Sequence, residues 1–516
     1  MGIKLGLLLI FFAILIVTGA YSHRKVNNVN DFVLGGRSIG PWMSAFAYGT
    51  TYFSAVVFVG YAGQFGWKYG ISSFWIGIGN AFIGSLLAWV VLGRRTRIMT
   101  NHLSAATMPS FFSSRFNSTK LKIVASAIIF IFLIPYTASV YNGLSLLFGM
   151  AFNMPYAACL IVMAALTCIY VVLGGYVATA LTDFIEGIIM LFGIILVIGS
   201  VLVGQGGFTH AIQQLSLISC ETAVGQQGIF TSFFGPDPLN LLGVVILTSL
   251  GAWGMPQMVH KFYAISSEKA ITTGTVVSTI FALIVAGGCY FLGGFGRLFD
   301  NPSFHDAAGG VIYDSIIPHM LSTLPDIVIG IVLMLVLSAS MSTLASLVLT
   351  SSSTITLDFI KHSLFKDMSN RTTLLVLRSL IVVFIVVSVI MALFKTTFIA
   401  QLMGISWGAL AGSFLGPLIY GLYWKKTTPA AVWACFVSGV GITVTNLIFG
   451  YIASPINAGA LAILVGMVIV PVVSLISKKM AKEKVDAIFS CYDEQLVVSK
   501  SQSLKNNELA NTGTEN

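Results

Sequence analysis

Long apolar stretches alternate with short polar ones along the whole chain, and the stretches are too long for strands. Thirteen are read, at 5–21, 41–64, 71–93, 120–148, 155–175, 181–204, 240–260, 271–295, 325–352, 373–394, 397–423, 429–451 and 456–477. A helix needs about 20 predominantly apolar residues to cross a bilayer. The pattern therefore predicts an all-α polytopic membrane protein of about 13 transmembrane helices. The first run could be a cleaved secretory signal, but Arg24 and Lys25 follow it and no basic cluster dominates its front, which favours a retained span with its N-terminus outside. Two outer loops are long, at 205–239 and 297–324. The second carries Asp300, Asp306, Asp314, His305 and His319 and is read as a solvated acidic loop, with a metal site as the alternative. The tail at 478–516 starts basic and ends in a polar stretch, 504–516, that is expected to be disordered.

Three spans depart from plain hydrophobicity. Span two opens at Gly40-Pro41 and holds Gly49-Thr50-Thr51-Tyr52 near its centre, while span seven holds Gly251, Gly254 and Pro256. Glycine loosens a helix and proline removes a backbone donor. Two interrupted spans at matching places in successive five-span units are the mark of an inverted-repeat transporter. Plain kinks are the alternative. Span nine carries Ser338, Ser340, Ser342, Thr343 and Ser346 in its middle, with Ser342 and Ser346 on one face. Hydroxyls can hide in a membrane helix by bonding locally. Five of them beside an unwound turn also offer the hard oxygens that a small cation needs.

Composition and charge sharpen this picture. Of 516 residues 56% are hydrophobic and 9% charged, against about 25% charged in a soluble chain. The net charge of +9 is scattered over span ends, which argues against nucleic acid. With the N-terminus outside, the predicted inner segments hold 23 of the 27 Lys and Arg, leaving Lys4, Lys68, Arg297 and Lys395 outside. That bias predicts a cytoplasmic C-terminus. The six cysteines have no metal-ligand spacing, and the absence of a Walker motif leaves ATP without a site. Of the 18 Asp and Glu, Asp183 and Glu186 lie within a predicted span. Intramembrane carboxylates are functional candidates, yet this three-residue spacing also suits a helix cap with its capping box.

Four stretches, in order, carry a resemblance: Asp31-Phe-Val-Leu-Gly-Gly-Arg-Ser38, Gly174-Gly175 with Thr182-Asp183, Gly254-Met-Pro-Gln257, and Ala339-Ser-Met-Ser-Thr343. With them the chain resembles the sodium:solute symporter family. The resemblance implies a LeuT-type fold of two inverted five-helix repeats with two broken helices. The first repeat is placed at 31–204 and the second at 240–423, with an extra N-terminal helix at 1–25, two C-terminal helices at 429–477 and the 478–516 tail. It implies a principal sodium site made by the carbonyls of Thr50 and Phe53, the carbonyl of Ala339, and the hydroxyls of Ser342 and Thr343. A second sodium site of some relatives maps to Asp183, Ser342 and Ser346, with Ala345 where a further serine is used. Tyr52 stands where the proline carriers have an aspartate, and Glu186 where relatives usually have glutamine.

A substrate pocket between the repeats is expected to be lined by Tyr52, Phe53, Gln64, Tyr136, Trp253, Met255 and Pro256. Aromatic walls with a few polar tips suit a small organic solute. No basic residue is among them, so half-helix N-termini are expected to hold any carboxylate. The expectation is a sodium-coupled secondary active symporter, not an enzyme. It would import a proline-like amino acid, pantothenate or another monocarboxylate across the cytoplasmic membrane. Its partners are the solute, Na+ and the lipid bilayer, with no nucleic acid and no required protein partner. A proton-coupled symporter acting through Asp183 and Glu186 is the alternative, as is a transporter-like solute sensor.

Overall fold

A computed structural model describes residues 2–23, 29–35, 39–220, 227–365, 367–394 and 397–495. Among them the regular elements are all helical, and the isolated bridges are Ile39 with Ile265 and His305 with Val311. Helices satisfy their own backbone groups, which hydrocarbon cannot do for them. Nine helices among the described residues are long and apolar enough to span a membrane. They become ten when the pair Pro238–Gly254 and Pro256–Tyr263, bent by 44°, counts as one. The other expected spans fall on the shorter apolar helices Gly2–Thr18 and Tyr156–Val172, and on Pro41–Tyr52, which leads into the long stretch Val56–His102. Spans five and six meet at Gly175, whose φ of +56° suits glycine alone, and a Cβ there would stand 2.7 Å from the Phe32 ring.

The serine-rich helix Asp326–Thr354 is the centre of the bundle, buried without interruption from Leu335 to Thr354. It touches Gly2–His23, Pro41–Tyr52, Thr119–Phe152, Tyr156–Gly204 and Asn370–Leu393. A second buried helix, Ile399–Tyr423, lies against Pro429–Phe449, Pro455–Ile476 and Thr119–Phe152. Lipid supplies no hydrophobic drive between helices, so small residues set the closest approaches. At the tightest of them, a Cβ on Gly66 would meet the Gly293 backbone at 2.0 Å.

The first part of the tail is ordered: Lys482–Gln495 is a helix docked on Arg94–His102. Lys425 pairs with Asp486 at 2.8 Å, and the Arg95 guanidinium lies over the rings of Tyr423 and Tyr492 at 4.1 and 4.6 Å. Residues 496–516 lie outside the described residues, as do Arg24, Lys25, Arg37, Lys366 and Lys395 of the charge count. Arg97 and Arg115 are buried. Arg97 Nε donates to Ile265 O at 2.6 Å, and Arg115 donates to the carbonyls of Gly421 at 2.8 Å and Trp424 at 3.1 Å, closing a helix C-terminus. Burial pulls the Arg115 guanidinium down to about 10, so it stays charged near neutrality. Lys261 is buried inside the bundle. In the long second loop His305 meets Asp300 at 3.0 Å and His319 meets Asn301 at 2.7 Å, and no group of three or more metal-binding side chains occurs among the described residues.

Replacing Gly66 by Val should destabilise the protein by at least the 1–3 kcal/mol typical of overpacking, because backbone stands opposite and cannot step aside. Gly199→Ala, with no atom within 4 Å of the new methyl, should be neutral or slightly stabilising. Thermal unfolding of the two purified variants in detergent checks the contrast.

Candidate functional site

The site begins where span two stops being a helix. The sequence places breakers at Gly49 and its neighbours, but Pro41–Tyr52 runs straight through them and the break falls at Phe53 and Ser54. Phe53 is extended, with φ −117° and ψ 125°. Ser54 restarts the helix by competing for its own backbone: its hydroxyl takes the Val56 N–H at 3.2 Å and its carbonyl takes those of Val57 and Phe58. The Ala55 N–H reaches across to Ser340 Oγ of span nine at 3.0 Å. In a continuous helix the N–H groups of Ala55, Val56 and Val57 would cap the carbonyls of Thr51, Tyr52 and Phe53. Their diversion frees those three carbonyls beside the hydroxyls of span nine.

Span nine meets them directly. Thr343 Oγ1 donates toward the Thr51 carbonyl at 3.2 Å and its own Ala339 carbonyl at 3.0 Å. Ser342 Oγ donates to Thr50 Oγ1 at 2.9 Å, and Thr50 in turn donates to Phe46 O at 2.8 Å. Thr50, Ala339, Ser342 and Thr343 are thus brought together, and Phe53 lies in the open turn. Thr50 enters this network by its hydroxyl, and the carbonyl that Thr343 reaches is that of Thr51, which the sequence reading missed. These are hard oxygens converging from two helices with no competing soft ligand, a set that fits sodium.

A lysine completes the polar cluster. Lys261, on the half-helix after the break in span seven, places Nζ 3.0 Å from Ser346 Oγ and 3.5 Å from Asp183 Oδ2. It also lies 5.1 Å from the centroid of the Tyr176 ring. Ser346 Oγ is shared with Thr51 Oγ1 at 3.1 Å. Asp183 lies two turns inside the helix that restarts after Gly175, so it is no N-cap, and the capping-box alternative is set aside. Its Oδ1 and both Glu186 oxygens have no hydrogen-bond partner among the described residues. Lys261 was hidden in the sequence because it sits where span seven reads as ending. The sign that could have exposed it is the run of aromatic and apolar neighbours on both sides, which makes a poor solvent-exposed loop.

The aromatic wall is built from both broken spans. Tyr52 stacks on Phe53 with centroids 4.4 Å apart and faces Trp407 at 6.3 Å, with Tyr136 edge-on to Trp407 at 5.9 Å. The Tyr52 hydroxyl donates to the Thr248 carbonyl at 2.5 Å, tying span two to span seven. Trp253 Nε1 donates to Ile83 O at 2.9 Å, and Met255 and Pro256 form the buried break itself. Gln64 does not join this wall. It lines a separate cavity of about 480 Å³ with Tyr69, Asn240, Arg297, Tyr313 and Asn457. Trp407 and Thr248 were missed: Trp407 lies in a span with no local oddity, and Thr248 takes part through its backbone carbonyl, which no residue type marks.

The profile of the family described as sodium:solute symporter family matches residues 32–438. The osmoregulated proline transporter OpuE of Bacillus subtilis is 27% identical over 488 residues, covering 92% of this chain and 94% of that protein. The sodium/proline symporter of Salmonella typhimurium is 28% identical over 450 residues, covering 85% and 86%. Among solved structures, a Na+-coupled sialic acid symporter in a substrate-bound outward-open state superposes with a TM-score of 0.73 at 17% identity, covering 93% of this chain and 99% of that one. The fold is of the LeuT type.

Ser340 is read here as support for the break, not as an ion ligand. Ser340→Ala strands the buried Ala55 N–H and should cost about 1–3 kcal/mol. The loss of thermal stability should be the same in sodium and in choline chloride. A loss seen in sodium alone would make Ser340 a ligand.

Proposed function

The chain belongs to the sodium:solute symporter family, and from that premise we propose that it imports a small carboxylate-bearing solute, a proline-like amino acid first, with one sodium ion. The observation that carries this is the diversion of three N–H groups at the break of span two. It leaves the carbonyls of Thr51, Tyr52 and Phe53 without their helical donors, and Thr343 Oγ1 already reaches that of Thr51. The proline preference rests on the relatives named as proline transporters. The wall of Tyr52, Phe53, Tyr136 and Trp407 suits a compact apolar ring, and pantothenate or another monocarboxylate is the wider class.

Thr51, Phe53, Ala339, Ser342 and Thr343 would hold sodium, with Thr50 orienting Ser342. When bound, the ion supplies the positive charge that draws the open turn and span nine together. Coupling follows from covalent neighbourhood. Thr51 carries the carbonyl on the ion side and Tyr52 and Phe53 carry the rings on the solute side, so ordering one orders the other. Tyr52 passes the constraint to span seven through the Thr248 carbonyl. In this reading the repeats are residues 31–204 and 240–423, flanked by the helix at 1–25 and the pair at 429–477. The N-terminus lies outside and the docked C-terminal helix inside.

Ser342→Ala and Thr343→Val each remove one ligand oxygen while keeping the helix. Proline Kd in purified protein at low sodium should rise by a factor within the roughly 5–150-fold range of typical coupling energies. High sodium should recover most of it by mass action. Wild-type sodium dependence in both variants would remove these hydroxyls from the site. Uptake of labelled proline, pantothenate and acetate into proteoliposomes, with and without a sodium gradient, decides the solute class. Orientation is checked in a cysteine-free background: His305→Cys should react with an impermeant maleimide added outside cells and Lys500→Cys should not.

A further inference from the structure

We propose that the Lys261 side chain is a resident cation that fills the second cation position of the site, so that a single sodium ion binds to this protein. The proposal rests on the sodium reading above and adds what occupies the place beside it. Asp183 and Ser346 are the residues that, with Ser342, would make a second sodium site. Both are already taken: Lys261 Nζ bonds Ser346 Oγ at 3.0 Å and Asp183 Oδ2 at 3.5 Å, with its side chain 1% exposed. The Tyr176 ring, 5.1 Å away, gives the third side of the ammonium an electron-rich face. Position 345, where a further ligand oxygen would be needed, is a fully buried alanine. The residues therefore do not fit a second sodium ion.

Electrostatics points the same way. A sodium ion on the same two oxygens would stand within about 4 Å of the ammonium, where like charges repel enough to weaken binding by roughly a thousandfold. The ammonium is tethered to the half-helix Pro256–Tyr263 and its ligands to spans six and nine, so this cation does not cross the membrane. It joins the break of span seven to span nine, while the break of span two is left to sodium. Ser346 is the point of contact between the two, bonded to Lys261 and to Thr51 Oγ1 at 3.1 Å.

Direct binding of radioactive sodium to purified protein tests this without any transport assay. The wild type should bind one sodium ion, with a Hill coefficient near one. Ala345→Ser restores the missing hydroxyl without disturbing the lysine and should still bind one. Lys261→Ala should bind a second sodium ion or be stabilised against heat by millimolar methylammonium, which the wild type should ignore. Lys261→Arg should behave as wild type. Two sodium ions in the wild type would overturn the resident cation and leave the principal site standing. Two in Ala345→Ser would overturn it in favour of the missing hydroxyl, even should Lys261→Ala fail to fold. No sodium binding at all in the wild type would overturn the sodium reading itself.

Discussion

The hydrogen bond from the Ala55 N–H to Ser340 Oγ is the contact on which the middle of this protein depends. An unwound turn at membrane depth exposes backbone groups that hydrocarbon cannot satisfy. Each must find protein, and the serine-rich span supplies it. Ser340 takes an orphaned donor, Thr343 takes an orphaned acceptor, and Ser342 and Ser346 hold the threonine hydroxyls on either side. On the proposed reading the hydroxyls of span nine thus have one duty in folding and another in ion handling, divided among neighbours one turn apart. This division explains why so polar a helix can lie buried at the centre of the bundle: its hydroxyls are taken up by a neighbour whose backbone is incomplete.

Glycine settles how close the surrounding helices come. The second half of span two crosses the end of span eight at Gly66 and Gly293, where any side chain would strike backbone. Gly254 admits Ala411 of span eleven in the same way, with a Cβ there falling 2.7 Å from its Cα. Such contacts fix the helices on either side of each break while the break itself keeps a few free dihedrals. Rigid rods joined at two unwound turns are the mechanical form that hinge motion requires.

Much of this was legible in the sequence because hydrophobic length and positive charge at span ends are properties of single segments. The apolar runs, the two interrupted spans and the hydroxyls of span nine needed no partner to be read. What escaped needed a partner. The break lies at Phe53 and Ser54, three to four residues past Thr50, because Ser54 can cap a new helix start, whereas Gly49 only makes room for the Phe281 ring. Gln64 shares span two with Tyr52, yet beyond the break the chain carries it to the cavity beside Arg297 and Tyr313. Lys261 passed for a loop charge since a span that ends in lysine obeys the same positive-inside logic as one that ends in solvent. The helix Lys482–Gln495 was lost in a polar tail because its burial depends on Arg95, Arg115 and Tyr423 from distant segments.

The two breaks, alike in sequence pattern, are physically different. In span two the diverted donors leave carbonyls uncapped, and on the proposed reading a mobile ion meets them and leaves again. In span seven the helix resumes one residue later at Pro256, which has no N–H to divert, and the Met255 N–H turns back to the Ala252 carbonyl at 3.3 Å. That break frees carbonyls too, since the Met258 N–H turns to Met255 O at 3.0 Å and away from the Gly254 carbonyl. What sets it apart is that it redirects eight residues by 44°, enough to carry Lys261 into contact with Asp183 and Ser346. Breaking a buried ion pair is far costlier than never having built one. The lysine therefore holds span seven to spans six and nine through any motion that keeps water out. On the proposed reading the bundle has one position whose charge can come and go and one whose charge is fixed to the chain, and the two meet at Ser346.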